Sequence, residues 1–305
     1  MSVTLLGPQR TPTVTRVLRA MNVAGRVATV TAGWREREAH DDELNELLDA
    51  HAVNLSLYRR WLDVQERDPE FGAAYRGLRQ VLDEMQEIYL VRLDYALRTI
   101  DAIRRTGREG PRRTAALDAA LENVRVIDGG HLDAVSDIQA EFYETWAPHV
   151  RPVIAQHRAS VADLLGTVDA VVITGGHLDV LLTVLKVFNV AAALRSPVVA
   201  WSAGAIALTE RAVLFHDRAP QGPGNAEIYE RGLSVVRGVV ALPHARSRLL
   251  LDDVDRMSVF ARRFAPARCL LLERGTRIDT DRDGTCPPGT RLLGEGGIPL
   301  TIEAS

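Results

Sequence analysis

The segment Val198-Val199-Ala200-Trp201-Ser202-Ala203-Gly204-Ala205 joins an apolar run to a serine that is flanked by small residues. The apolar run predicts a buried strand, and the alanine-rich residues after the serine predict the start of a helix. Small residues two positions before and after the serine, here Ala200 and Gly204, are typical of a sharp strand-to-helix turn. Such a turn exposes the hydroxyl at the edge of a sheet, and we therefore interpret Ser202 as a nucleophile.

The same pattern of short apolar runs between helical stretches continues along much of the chain. It predicts strands at residues 3–6, 27–30, 123–127, 168–173, 197–200, 238–242 and 268–272. Strands that alternate with helices favour an α/β fold built on a doubly wound parallel sheet. We expect residues 1–40 and 113–305 to form this domain.

The alternation stops between residues 41 and 112. Apolar residues recur there at three- and four-residue steps, first over 41–66 and again over 78–104, which is typical of amphipathic helices. A short turn with Pro69 and Gly72 separates the two stretches, so the pattern predicts a long antiparallel helical hairpin inserted at 41–112. Such a hairpin is a structural elaboration, a dimerisation arm or a lid, and of the last two we favour dimerisation.

The composition narrows the functional class. The chain has 305 residues, is 46% hydrophobic and carries a net charge of −3, so it lacks the basic field of a nucleic-acid-binding protein. Its apolar runs are too short to span a bilayer. Two cysteines, Cys269 and Cys286, are too few for a metal cluster. We expect a cytoplasmic protein with no metal, no cofactor, no nucleic-acid partner and no membrane partner.

A nucleophilic serine requires a base and a group that orients it. Two histidines follow Ser202, and of these His244 comes directly after the predicted strand 238–242, whereas His216 does not. Catalytic groups of open parallel sheets collect at the carboxyl ends of the strands, which favours His244. Glu273 ends the strand 268–272 and is the leading candidate for the orienting acid. Competing acids are Asp217, Asp252 and Asp279.

An oxyanion site is predicted beside the serine. The amide of Ala203, the residue after the nucleophile, is free to bind an oxyanion at such a turn. The pair Gly175-Gly176 follows the predicted strand 168–173, and a Gly-Gly turn lets backbone amides point into a site and supply a second donor.

Four segments of the chain resemble, in order, the aspartyl dipeptidase (dipeptidase E) and cyanophycinase family of serine peptidases. They are Ile173-Thr174-Gly175-Gly176-His177, Ala200-Trp201-Ser202-Ala203-Gly204-Ala205, Leu242-Pro243-His244-Ala245-Arg246-Ser247-Arg248-Leu249 and Leu272-Glu273-Arg274-Gly275-Thr276. The resemblance covers about residues 1–35 and 115–280. The helical hairpin is not part of the family pattern, and His177 stands where a polar neutral residue is common.

The resemblance implies a class I glutamine-amidotransferase-like fold, which is flavodoxin-like, with a Ser-His-Glu triad. In this chain the triad would be Ser202, His244 and Glu273, with Gly176 and Ala203 as the oxyanion donors. We expect the substrate to be bound by Gly175, His177 and Arg246. Glutaminase chemistry is disfavoured, because those enzymes have Cys at the turn and a His-x-Glu pair.

The resulting hypothesis is a serine hydrolase that cleaves a small peptide or amide bond through an acyl-enzyme. The family implies acidic or Asp-containing dipeptides, or an Asp-Arg polymer, whose carboxylate Arg246 and Arg248 would hold. Two alternatives remain: an esterase of small esters, and a non-catalytic scaffold that uses its helical arms for assembly or partner binding. A homodimer through the hairpin fits either class.

Overall fold

The computed structural model describes residues 2–9, 13–48, 51–107, 109–218 and 224–304. Its first half contains β1 (Val3–Leu6), α1 (Val14–Ala20), β2 (Val27–Val30), α2 (Asp42–Leu47), β3 (Ala52–Asn54), α3 (Leu57–Arg67), α4 (Pro69–Arg104) and α5 (Pro111–Trp146). Its second half contains α6 (Pro152–Leu165), β4 (Ala170–Ile173), α7 (Leu178–Val187), α8 (Val190–Ala193), β5 (Val198–Trp201), α9 (Ala203–Leu208), β6 (Arg211–Leu214), β7 (Glu227–Arg231), β8 (Val239–Pro243), α10 (Ala245–Arg248), α11 (Val254–Phe264), β9 (Arg268–Leu272), β10 (Arg277–Thr280), β11 (Arg291–Leu293) and β12 (Pro299–Thr301). Short 3-10 helices lie at Ala32–Arg37 and Pro148–Val150. No helix in these ranges combines the length and the apolar character that a bilayer span requires.

The central sheet has the strand order β10-β1-β5-β4-β2-β3, and every neighbouring pair is parallel except β1 with β10. Its two faces are covered by different helices. Val171 and Ile173 of β4 pack in the same cluster as residues of α6 and α7, whereas Val172 packs in a cluster with residues of α1 and α2. Because both faces are buried, the inner strands consist almost entirely of apolar residues, with the buried Thr4 in β1 and Thr29 in β2 as exceptions. The prediction of an α/β protein with a largely parallel sheet is thereby confirmed.

The strands β8 and β9 belong to a second sheet, with the order β12-β11-β9-β8. We expected all predicted strands to lie in one parallel sheet, and that expectation is wrong. The antiparallel strand β10 occupies the free edge of β1, and the C-terminal strand β11 occupies the edge of β9. The turn between β9 and β10 connects the two sheets, and there the N–H of Gly7 donates to the carbonyl of Thr276 at 2.9 Å.

The helical hairpin consists of α4 and α5, so it spans 69–146 and not the predicted 41–112. Each helix has 36 residues, about 54 Å at 1.5 Å per residue. Residues 41–66 contain α2, β3 and most of α3 instead, and β3 extends the central sheet by pairing with β2. The division of the chain into an α/β domain and an insertion stays a prediction.

The predicted strand at 123–127 is wrong, because these residues lie in the middle of α5. Val124 and Ile127 are buried, and so are Leu121, Leu132 and Val135, so the apolar spacing over the whole stretch is helical. The pair Gly129-Gly130 does not interrupt α5. Packing along α4 stabilises the helix there, and such tertiary packing commonly overrides the low helix propensity of glycine.

Among the polar contacts that attach the hairpin to the rest of the molecule, two involve the carboxylates of Asp68 and Asp128. At its base, Asp68 accepts a hydrogen bond from the N–H of Phe71 and so caps α4, and its Oδ1 also accepts one from Nη2 of Arg151 at 2.6 Å. Further along, the buried guanidinium of Arg263 on α11 binds Asp128 of α5. The hairpin is thus held by the body at two separated levels.

Candidate active site

Ser202 occupies the turn between β5 and α9 with φ 51° and ψ −123°. A residue with a side chain rarely adopts this conformation, which costs of the order of 1–3 kcal/mol and is common at functional sites. The turn also requires Gly204, because a Cβ there would lie 2.5 Å from the carbonyl oxygen of Ile173 and 2.6 Å from that of Thr174. The small residues that predicted the turn therefore have a steric cause.

His244 faces the serine across the boundary between the two sheets. The distance from Ser202 Oγ to His244 Nε2 is 3.4 Å, within the looser range that such pairs have without substrate. His244 follows β8 in the left-handed conformation (φ 59°, ψ 31°), and its N–H donates to the carbonyl of Leu272 at 3.2 Å. Ser202 and His244 are both half-buried. The structure thus brings Ser202 and His244 together.

Glu273 lies next to the histidine because the strands before them are paired. Pro243 is the register partner of Leu272, so His244 and Glu273 leave neighbouring strands side by side. Oε1 of Glu273 accepts a hydrogen bond from the N–H of Arg246 at 2.7 Å. The carboxylate therefore holds the turn that carries the histidine, and its role as the orienting acid of a triad stays a prediction.

Two of the competing acids have other partners. Asp217 is buried, accepts a hydrogen bond from the N–H of Leu250 and forms an ion pair with Arg256 at 2.7 Å. Asp279 accepts a hydrogen bond from the hydroxyl of Thr4. These contacts give both carboxylates a structural role.

The glycine pair lies beside the nucleophile. A Cβ on Gly175 would come within 2.7 Å of the Cβ of Ser202 and 3.6 Å of the amide nitrogen of Ala203. Only a residue without a side chain lets these two backbones approach so closely. The amides of Gly176 and Ala203 as oxyanion donors stay a prediction that this close approach favours.

The second glycine is required by a neighbouring loop. Gly176 has φ +123°, and a Cβ on it would lie 2.2 Å from the carbonyl oxygen of Gly33. The same carbonyl accepts a hydrogen bond from the N–H of His177 at 2.8 Å. The loop after β4 is therefore fixed against the loop after β2.

A cavity of about 350 Å³ opens beside Ser202 and His244. Its lining includes Trp34, His40, Glu43, Leu44, Leu47 and Trp201. The sequence predicts none of these six residues as part of the site. Glu43, Leu44 and Leu47 lie in the stretch predicted to form a helical arm, whereas Trp34, His40 and Trp201 lie outside it. The available signal was the position of the two tryptophans, since Trp201 directly precedes the serine and Trp34 follows β2 at the same edge of the sheet.

The predicted substrate contacts divide into two groups. Gly175 touches the serine, but His177 and Arg246 are exposed and do not line the described part of this cavity. His177 instead lies near Glu36, at an exposed position. The pKa of Glu36 lies below its ordinary value, chiefly through a backbone hydrogen bond and one from the hydroxyl of Tyr58, with smaller effects of Arg35 and His177. Substrate binding by His177 and Arg246 stays a prediction.

No family model and no curated protein matches this chain. Among solved structures, 13 chains match. One is the crystal structure of a peptidase from an acI-B1 Actinobacterium, which is 11% identical in sequence. The match covers 99% of this chain and 94% of the peptidase, with a TM-score of 0.47. Similarity at this level says nothing about the reaction or its residues.

Proposed function

We propose that this protein is a serine hydrolase that cleaves a small peptide or amide bond. The observation that carries the proposal is the pairing of a serine on a strained strand-to-helix turn with an imidazole 3.4 Å from its hydroxyl. Backbone strain at Ser202 and a base within reach of its hydroxyl together favour a reacting group over a packing residue.

In the proposed reaction, His244 Nε2 takes the proton of Ser202 Oγ while that oxygen attacks the carbonyl carbon of the substrate. The tetrahedral oxyanion accepts hydrogen bonds from the amides of Gly176 and Ala203. The C–N bond then breaks, and His244 returns the proton to the leaving amine. A water molecule, deprotonated by the same imidazole, hydrolyses the acyl-enzyme and restores the serine.

The third residue of the proposed machinery is Glu273. Its carboxylate accepts a hydrogen bond from the amide of Arg246, two positions after the histidine, and so holds the turn on which His244 lies. We propose that it is a positioning residue for the imidazole. This assignment completes the Ser-His-Glu order of the dipeptidase E and cyanophycinase family that the chain resembles.

We also propose that the chain is related to the dipeptidase E and cyanophycinase family. The serine turn, the Gly-Gly loop and the histidine segment match the family pattern, whereas the hairpin at 69–146 is not part of it. We therefore propose that the chain has the class I glutamine-amidotransferase-like fold and a peptidase activity.

Labelling with a fluorophosphonate probe tests the proposal, since such probes react with activated serines. We expect the wild-type protein to be labelled, and Ser202→Ala and His244→Ala to lose the label. Removal of a nucleophile that acts with its base lowers the rate by several orders of magnitude. Ser258→Ala is the matched control, because Ser258 lies on α11 and its hydroxyl donates to the carbonyl of Glu295.

An unlabelled wild-type protein would contradict the proposal and favour the non-catalytic scaffold. Rapid turnover of nitrophenyl esters without any cleavage of peptides would show that the protein is an esterase and not a peptidase.

A further inference from the structure

The cavity beside Ser202 has mainly apolar walls. Trp201 and Leu44 are almost completely buried and, with Trp34 and Leu47, line the space next to the serine. A volume of about 350 Å³ lies at the low end of the range for small-ligand sites, roughly 300–1,000 Å³. Transfer of a Leu- or Phe-sized group from water into such a space is favourable by about 1.5–3 kcal/mol.

Glu43 is the one acidic residue among the described residues that line the cavity, and His40 and His244 are the other ionisable ones. Glu43 and His40 are exposed and lie at its rim. The chain has 37 lysines and arginines, yet none of the described residues that line the cavity is one of them. A substrate carboxylate would be repelled by Glu43, whereas an ammonium group would be attracted to it.

From these two observations we infer that the cavity takes an apolar or aromatic side chain of a peptide whose free ammonium group lies near Glu43. Acidic substrates, which the family resemblance implies, are disfavoured. The inference rests on the proposed function, because it concerns the substrate of the same serine.

Four C-terminally amidated dipeptides test the inference: Phe-Ala, Ala-Phe, Asp-Ala and Ala-Asp. We expect kcat/KM for the better phenylalanine peptide to exceed that of both aspartate peptides by about tenfold or more, which corresponds to roughly 1.4 kcal/mol. Acetylation of its amino group should lower kcat/KM, and Glu43→Arg should do the same. Glu46→Arg is the matched control, since Glu46 is exposed on the same helix and does not line the cavity. Faster cleavage of the aspartate peptides would overturn the inference and leave the hydrolase proposal standing.

Binding to the Ser202→Ala variant separates the two proposals. Trp34 and Trp201 line the cavity, so its occupation changes tryptophan fluorescence. If the wild-type protein cleaves none of the peptides but the variant binds the phenylalanine peptide more tightly than the aspartate peptides, the inference stands and the hydrolase proposal fails. If the variant binds none of the peptides, the inference is overturned.

A different surface supports a second inference, which is independent of the reaction. Among the apolar side chains that helix α4 exposes, Val81 (43% exposed), Ile88 (63%), Val91 (58%) and Tyr95 (68%) lie along one face, whereas Leu90 (36%) lies off it. Positions 81, 88 and 95 are seven residues apart, as are 84, 91 and 98, so together they have the spacing of a coiled-coil seam. We call this surface the α4 seam. Its residues differ from the buried ones that pack on α5, and a contiguous exposed apolar surface commonly marks an interface.

The charges on the α4 seam select an orientation for a partner helix. Glu84 and Arg98 interrupt the seam on either side of Ile88 and Val91. Two parallel copies would place Glu84 against Glu84 and Arg98 against Arg98. Two antiparallel copies that place Ile88 opposite Val91 set Glu84 opposite Tyr95 of the second copy, within about one helical turn of its Arg98, so the charges are complementary about a two-fold axis.

We propose that the α4 seam binds the same seam of a second copy of this chain in the antiparallel orientation. Sedimentation equilibrium of the full chain tests it. We expect a dimer, with Ile88→Asp monomeric and Val150→Asp, at an exposed position outside the hairpin, still dimeric. Glu84→Arg and Arg98→Glu should each weaken the dimer about tenfold, and the double variant should recover most of the loss.

Two results would overturn this proposal. One is a wild-type protein that stays monomeric at about 100 µM, since a Kd above that concentration leaves less than about 5.5 kcal/mol of binding free energy for such a seam. The other is a double variant no more dimeric than the single ones, which would exclude the antiparallel arrangement.

Discussion

Asp128 and Arg263 form a two-bond ion pair inside the protein, with Nε to Oδ2 at 2.6 Å and Nη2 to Oδ1 at 2.7 Å. Both side chains are almost completely buried, and the hydroxyl of Tyr89 donates to the same carboxylate. Burial is the largest single effect and lowers the pKa of Arg263, but the charge and hydrogen bonds of Asp128 together with Tyr89 raise it above its ordinary value. The pair connects the middle of the hairpin to α11.

We expect Asp128→Asn to lower the free energy of unfolding by about 3–5 kcal/mol, because it leaves a buried guanidinium without its counter-charge. Urea unfolding followed by far-UV circular dichroism measures the change. Asp118→Asn is the matched control, since Asp118 pairs with the neighbouring Arg262 at the surface and should contribute at most about 1 kcal/mol. Equal losses in the two variants would contradict this assignment.

The backbone strain at Ser202 predicts a gain in stability on its removal. Glycine adopts φ 51° and ψ −123° far more easily than serine, so Ser202→Gly should raise the free energy of unfolding by about 1 kcal/mol while activity is lost. Thermal unfolding compares the variants. Ser258→Gly, inside helix α11, should instead lower stability by about 0.5–1 kcal/mol. A loss of stability in both variants would show that the turn at Ser202 is not strained.

We expect a substitution at Gly204 to lower activity although no reacting group is changed. Gly204→Ala places a methyl group 2.5 Å from the carbonyl of Ile173, so the turn must shift, and a displacement of about 1 Å at a nucleophile costs roughly 100-fold in rate. Probe labelling and kcat/KM measure the effect. Gly130→Ala is the opposite case, because nothing lies within 4 Å of its added Cβ in α5; it should stabilise the protein by up to about 1 kcal/mol and leave activity unchanged.

The contact between Asp68 and Arg151 predicts a pH dependence. The hydrogen bond from Arg151 is the largest cause that holds the pKa of Asp68 below its ordinary value of 3.8. The carboxyl group therefore takes up a proton more readily in the unfolded chain, and the contact stabilises the fold fully above pH 4 and less as the pH falls further. We expect Asp68→Asn to cost about 1.5–3 kcal/mol at pH 7 and much less at pH 3, since asparagine still caps α4.

Urea unfolding of both proteins at pH 7, 5, 4 and 3 provides the measurement for Asp68. A difference between wild type and variant that does not change with pH would mean that the charge of the carboxylate contributes nothing to stability.

The sequence predicted most strands and the serine turn because these are local features. The runs 3–6, 27–30 and 268–272 match strands residue for residue, because strands buried on both faces consist mostly of apolar residues. Ala200 and Gly204 marked the turn because the steric demand for small residues falls within two positions of Ser202. Such patterns depend on neighbouring residues in the chain, so they can be recognised without knowledge of the fold.

The hairpin shows where local patterns failed. The apolar residues at 123–127 favoured a strand, but packing between two 36-residue helices overrides this local preference, and the Gly-Gly pair at 129–130 does not interrupt α5. The strand β3 at 52–54 was not predicted, because a three-residue edge strand is too short to show a periodic pattern of apolar residues.

What the sequence by itself determined is the chemistry available: a serine on a sharp turn, a histidine and a glutamate at strand ends, and glycines where backbones must approach. Only the tertiary structure decided that β8 and β9 form a separate sheet, that its edge still brings His244 within 3.4 Å of Ser202, and that tryptophans line the adjacent cavity. The physical reason is distance along the chain. Side chains 42 residues apart meet only when strand pairing and helix packing bring them together, and no spacing in the sequence records which strands pair.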